Sequence, residues 1–196
     1  MARPSSISLC MMVKNEEQLL GDLLDYVSPW VREVVIVDTG STDATIKVAR
    51  SRGAAILRAD VEEAGFGEVR NKAIVAATQP WILILDPDEW PTMEMLSFIR
   101  WFTNDYCSKE IDAVYFTREN RIDGVLLDDD RAYEPTFRLM RQYMRYEGWL
   151  SEQMFTQNSC EAPRNCLLLH HKTSKRQAKQ DAFYKDYAER HVLELA

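Results

Sequence analysis

Cysteine is scarce in this chain of 196 residues: Cys10, Cys107, Cys160 and Cys166 are the four, and no two stand as a C-x-x-C pair. That spacing offers neither a zinc site nor a disulfide framework. The four are read as reduced, structural thiols, with Cys10 acting as a small hydrophobe inside an apolar run. Long apolar runs are missing too. The longest, such as "WILIL" at 81–85, fall far short of the roughly 18–20 residues that cross a bilayer. The N-terminal stretch has no apolar region and cleavage site of the signal-peptide kind, so the expected setting is the cytoplasm. Basic charge is not in excess. The net charge of −7 argues against broad polyanion binding, though not against a local basic groove. There is no repeat and no low-complexity tract. With 46% hydrophobic residues the chain can fill a core and does not read as disordered.

Strand and helix patterns alternate over the first 90 residues. Residues 6–13 read as a buried strand. Asn15 is placed to cap a helix over 16–27, whose Leu19, Leu20, Leu23, Leu24 and Val27 share a face. The run 33–38 is a second strand, β-branched throughout as in sheets covered on both faces. A "TGSTDAT" turn leads to a helix ending at Gly53, with Ser41 or Asp43 as its cap. A third strand falls at 54–59, a helix at 66–78 and a fourth strand at 81–86. Pro91 fits the first turn of a helix to about 103. Beyond it, 111–120, 124–128 and 136–141 are strand-like with longer joins, a short helix is expected near Ser151, 166–171 is a last strand, and 174–195 reads as a helix. The expected fold is α/β: a mostly parallel central sheet with helices on both faces and a small mixed or antiparallel C-terminal part. It is read as one domain, with 1–95 as one half, 96–172 as the other, and a terminal helix over 173–196.

Ligands bind such sheets outside the carboxyl ends of the strands, and the acidic residues collect there. Asp86, Asp88 and Glu89 follow the apolar run "ILIL" directly. Hard oxygen ligands around a stiff proline suit a Mg²⁺ or Mn²⁺ diphosphate site. The alternative is that Asp88 caps the next helix and Glu89 favours its first turn. Asp38 ends the second strand, where a carboxylate can accept from a ribose hydroxyl or a base N–H. No P-loop follows it. Arg70 can make bidentate phosphate contacts, with Asn71 beside it, or both can sit on a solvated helix face. Glu152 is a candidate general base or a first-turn helix charge. His170 and His171 point to opposite faces of a strand, so at most one can reach a metal.

The set "CMMVKNEEQLL", "VREVVIVDTGSTDAT", "EVRNKAI" and "WILILDPDEW" resembles the family 2 inverting nucleotide-sugar glycosyltransferases of GT-A fold. It comes nearest a subgroup with lipopolysaccharide-core and TPR-linked members. The resemblance is strong over 6–95 and looser from 111 to about 172. It implies that Glu16 and Asp38 contact the nucleoside, that Arg70 and Asn71 lie along the nucleotide, and that Asp86 faces ribose and metal. It also implies that Asp88 binds a Mn²⁺ or Mg²⁺ bridging the diphosphate, with His170 favoured over His171 at the metal. Without that cation the carboxylates would repel one another, which predicts weak order at the site. Glu152 takes the place of the family's base, but Ser151 stands where a histidine is expected, and Pro87 replaces an alanine.

The implied activity is transfer of a sugar from a nucleotide-diphosphate donor, expected to be a UDP-sugar, to an acceptor hydroxyl on a glycan, lipid, protein or modified nucleobase. The basic residues of 172–190 suit a phosphate-bearing acceptor or a peripheral membrane contact, or form a solvated face. A homodimer would complete a small acceptor site. Two other readings stand beside this one. The first is a domain that binds nucleotide sugar or a partner without turnover. The second is a nucleotidyltransferase, against which the glycine-free "MMVKNEEQ" counts.

Overall fold

The computed structural model describes residues 6–104, 110–149 and 153–192. Its first half runs β1 (Ile7–Val13), α1 (Leu20–Val27), β2 (Glu33–Asp38), α2 (Thr45–Ser51), β3 (Ala55–Arg58), α3 (Val61–Ala76) and β4 (Trp81–Ile84). The second half adds β5 (Glu89–Pro91), α4 (Met93–Asn104), β6 (Ala113–Ile122), β7 (Val125–Leu126), β8 (Tyr133–Arg141), β9 (Ser159–Glu161), β10 (Leu167–Lys172) and α5 (Ser174–Val192). Along the main sheet the order is β3-β2-β1-β4-β8-β6-β10-β5. The first four strands are parallel. β8 then runs antiparallel to both β4 and β6, while β10 is parallel to β6. Reversing twice returns β6 and β10 to the direction of β4, so the carboxyl ends of β1, β2, β4, β6 and β10 share one rim.

The period-two alternation of strand side chains splits the core into two layers. Leu9, Met11 and Ile36 pack beneath α1 and α4, against Leu20, Leu24, Met95 and Ile99. Cys10, Val35, Val37 and Ile84 face the other way, against Val69 and Ile74 of α3 and Tyr187 of α5. Both faces of β1 are therefore buried, as the unbroken apolar run requires. Among the described residues no helix is long and apolar enough to cross a membrane.

The α/β plan expected from the sequence is present, with several local differences. Asn15 does not cap a helix from 16. It adopts φ 58°, and α1 begins only at Leu20 after a turn in which the Glu16 carbonyl accepts from Leu19 and Leu20. α3 starts earlier than expected, with Asp60 accepting from the Glu62 N–H at 2.8 Å. It is broken at Gly65, whose φ of 76° and ψ of 163° are not helical. Pro91 lies in β5 rather than in a helix. β5 ends the sheet path, and an edge strand tolerates a residue with no N–H. Thr92 then caps α4, its hydroxyl accepting from the Met95 N–H at 3.3 Å. The helix expected near Ser151 falls partly on residues 150–152, outside the described set, and residues 153–158 are not helical. Leu195 and Cys107 also lie outside the described residues.

Candidate functional site

A cleft of about 890 Å³ opens at the carboxyl-end rim, bounded by the ends of β1 and β4, by β6, β8 and β10, and by α5. The turn after β4 carries its acidic residues. The Glu89 N–H donates to the Asp86 carbonyl at 3.0 Å, and the Asp86 N–H donates back to the Glu89 carboxylate at 3.0 Å. Pro87 occupies the second position of this turn, where its fixed φ belongs. Pro87 thus stiffens the segment that presents Asp86 and Asp88.

Each of the three carboxylates has an arginine beside it, and Arg138 serves two of them. Glu89 is fully buried and takes a fork of two bonds from Arg138, at 2.9 and 2.6 Å, with Arg118 at 3.5 Å. It sits on a strand and is not a first-turn helix charge. Asp86 is held by Arg70 at 3.0 and 3.4 Å and lies 3.6 Å from Arg138. Burial alone would raise the pKa of Asp86, but the Arg70 and Arg138 charges outweigh it and hold the carboxyl well below the usual range. Asp88 is buried, with the Arg176 Nε at 3.2 Å and the His170 Nε2 at 3.6 Å. Burial works to raise its pKa too, and His170, then Arg176, hold it below the ordinary value against the neighbouring Asp86 charge. Protein cations thus already offset part of the repulsion expected among these carboxylates.

His170 has a defined orientation. The Asn120 side-chain N–H group donates to the Arg131 carbonyl and, at 3.0 Å, to Glu134. The amide oxygen of Asn120 is thus turned to the His170 Nδ1, 2.7 Å away, and Nδ1 is the donor. Nε2 faces the Asp88 carboxylate across a gap too long for a hydrogen bond. A ring held through one nitrogen with the other free toward a carboxylate is the arrangement of a supported metal-ligand histidine. His171 is exposed on the opposite face.

Glu16 lines the cleft and receives a fork from Arg176, at 2.8 and 2.6 Å. Burial keeps the Glu16 pKa above its ordinary value in spite of that pair. Asp38 is buried at the end of β2 and accepts from the Ser41 N–H at 3.1 Å, while the next residue, Thr39, reaches the cleft. Asp43, not Ser41, serves the start of α2, accepting from the Thr45 N–H at 2.9 Å. Asn71 is buried and does not line the cleft. Its amide donates to the Tyr146 carbonyl at 2.9 Å and accepts from the Tyr146 N–H at 2.8 Å. Glu152 and Ser151 lie outside the described residues, although Gln153, Met154 and Phe155 just beyond them line the cleft.

Among the described residues no three His, Cys, Asp or Glu side chains converge so as to hold a metal ion by themselves. Asp88 and His170 do fit two positions of a Mn²⁺ or Mg²⁺ site whose other ligands come from a bound phosphate or water. The Arg176 guanidinium already stands as a cation at Asp88. Sequence pattern does not single out Arg118 and Arg138, and it offers Arg176 only as one of the basic residues of 172–190. The available signal was polar: Arg118 and Arg138 interrupt apolar strands, and the register pairs Arg118 with Glu134 across β6 and β8. Lys172, Arg176 and Lys179 line the cleft instead of forming only a solvated face.

The chain is 41% identical over 99 residues to a TPR repeat-containing protein of Synechococcus elongatus, covering 50% of this chain and 24% of that protein. It is 34% identical over 93 residues to a dolichyl-phosphate hexose transferase of Haloferax volcanii, covering 46% of this chain and 40% of the relative. A dodecaprenyl-phosphate galacturonate synthase of Rhizobium johnstonii is 30% identical over 140 residues, covering 62% and 38%. The chain therefore spans less than half the length of these relatives. Among solved structures, glucosyl-3-phosphoglycerate synthase of Mycobacterium tuberculosis with Mn²⁺ and UDP shares 23% identity at a TM-score of 0.48, covering 61% of this chain and 46% of that one. Residues 8–142 match the model of glycosyl transferase family 2, and the chain belongs to that family.

Proposed function

We propose that the chain is a metal-dependent, inverting glycosyltransferase that takes a sugar from a UDP-sugar and passes it to a hydroxyl acceptor. The observation that carries this reading is the pair at the end of β4 and β10. Asp88 and the oriented His170 face each other at 3.6 Å with a cation beside them. Asp88 and His170 would hold a Mn²⁺ or Mg²⁺, with Asp86 next to them, and when bound the metal would supply Lewis-acid stabilisation of the departing diphosphate charge. Arg70 holds Asp86 in place and faces the cleft where phosphate oxygens would lie. Asp38 and Thr39 stand at the end of β2, where the nucleoside is expected. Glu152 is the proposed base that takes the acceptor proton. The likeness to the TPR repeat-containing protein supports the TPR-linked subgroup.

Titration with UDP, and separately with GDP, in the presence and absence of Mn²⁺ tests the donor site. Metal-dependent UDP binding that is lost in Asp88→Ala is the expected result. No binding of either nucleotide with metal present would overturn the reading and leave a non-catalytic partner-binding domain.

A further inference from the structure

We propose that Arg176 is an exchangeable counter-cation: it stands beside Asp88 before the donor binds and gives that carboxylate up for the donor's diphosphate on loading. The inference rests on the donor-site reading above. Arg176 comes from the first turn of α5 and joins residues that follow the neighbouring strands β1 and β4. Its two terminal nitrogens fork onto Glu16, at 2.8 and 2.6 Å, and its Nε lies 3.2 Å from Asp88.

The contact with Asp88 is the weaker part of this bridge. The fork on Glu16 is bidentate and short, whereas Asp88 meets only the single Nε. The backbone of α5 is pinned on both sides of the cleft. The Ser174 N–H donates to Asp123 at 3.1 Å, the Tyr187 hydroxyl donates to the Val61 carbonyl at 2.8 Å, and Arg190 pairs with Glu62 at 2.7 Å. The exchange is therefore a movement of one side chain, 32% exposed, and not the opening of a helix.

Charge gives the exchange a direction. A divalent ion arriving alone at Asp88 meets the guanidinium as a like charge at short range. A metal arriving with a nucleoside diphosphate brings anionic oxygens that the same guanidinium can bind through the Nε it gives up from Asp88, with the fork kept on Glu16. Arg176 thus opposes the metal alone and favours the metal with its nucleotide. A side chain that merely braced the fold would affect both in the same sense.

The test measures Mn²⁺ binding from the electron paramagnetic resonance of free Mn²⁺, without nucleotide, and UDP binding at saturating Mn²⁺. It uses this chain and its Arg176→Gln and Arg176→Lys variants. In Arg176→Gln, Mn²⁺ alone should bind about tenfold tighter, ~1.4 kcal/mol, while UDP with Mn²⁺ should bind at least about tenfold more weakly. Arg176→Lys keeps the charge and should leave binding of Mn²⁺ alone near its original value. Weakening of both affinities in Arg176→Gln, or no change in either, overturns the exchange while leaving the donor site standing. If the unaltered chain binds neither Mn²⁺ nor UDP, both readings fall together.

Discussion

Replacing Arg138 by methionine should unfold much of the stability margin, because it strands a carboxylate that has no exposure to water. Glu89 is 0% exposed, and the Arg138 side chain that forks onto it is 9% exposed. After Arg138→Met, the partners of Glu89 among the described residues are Arg118 at 3.5 Å and the Asp86 N–H at 3.0 Å. Removing one partner of such a buried pair costs about 3–5 kcal/mol. Whole domains are stable by only about 5–15 kcal/mol. At roughly 2–4 °C per kcal/mol for chains of this size, the midpoint should fall by about 6–20 °C. Urea denaturation followed by circular dichroism measures the change, read from the midpoint at unchanged slope. The double variant Glu89→Leu with Arg138→Met removes both charges and should be less destabilised than the sum of the singles, by about 2 kcal/mol or more. An Arg138→Met cost under about 1 kcal/mol, or a double cost equal to the sum, would refute the claim that a buried ion pair anchors this turn.

Three further outcomes follow from other contacts. Asn71→Ala removes both bonds to the Tyr146 backbone and should cost about 2–4 kcal/mol in urea denaturation, while UDP affinity at the temperature of the folded protein stays within about twofold. Gly67→Ala would place a Cβ 2.6 Å from the Gly148 carbonyl oxygen. It should cost about 1–3 kcal/mol or more, measured as a lower thermal midpoint. Glu33 accepts from Ser8 at 2.6 Å and from the Thr78 N–H at 2.6 Å. Burial would raise its pKa, but these hydrogen bonds outweigh it and hold it below the ordinary value. A depressed carboxylate stabilises above its unfolded pKa of about 4.3 and loses that contribution as pH falls through the folded value. The difference in urea midpoint between the chain and Glu33→Gln should therefore be full at neutral pH and shrink steadily below about pH 4.

What was legible in the sequence is what depends on near neighbours. The runs that became β1, β2 and β4 are continuous and β-branched or aliphatic, so both their secondary structure and their burial follow from the pattern. The acidic tip was legible for the same reason, since strand ends in parallel sheets face the ligand side. β5 was not, because three residues containing a proline carry no period to read. The break in α3 comes from one glycine at φ 76°, and glycine in a helical pattern does not announce its φ. The cations of the site were hidden for a different reason. Arg118, Arg138 and Arg176 reach Asp86, Asp88 and Glu89 only through the pairing of β6, β8 and β10 and the docking of α5. In Arg176 the partner, Glu16, is 160 positions away. No local pattern encodes that pairing.

The three carboxylates of one short turn are graded by how tightly they are neutralised, and that grading separates their roles. Glu89 is sealed from water and gripped by two bonds from a buried arginine. A charge in that state cannot exchange partners without stranding itself, so it serves the architecture of the turn. Asp86 is intermediate, 27% exposed and shared between Arg70 and Arg138. Losing either arginine would still leave it one counter-charge. Asp88 is buried, but its one arginine stands at 3.2 Å through a single nitrogen and the His170 ring at 3.6 Å, and both come from elements unrelated to the turn. A buried carboxylate with loose counter-ions is the one from which an incoming cation can take over at least cost in broken contacts. The fixed charge at Glu89 holds the turn rigid, and that rigidity lets Asp88 remain open to exchange without the tip collapsing.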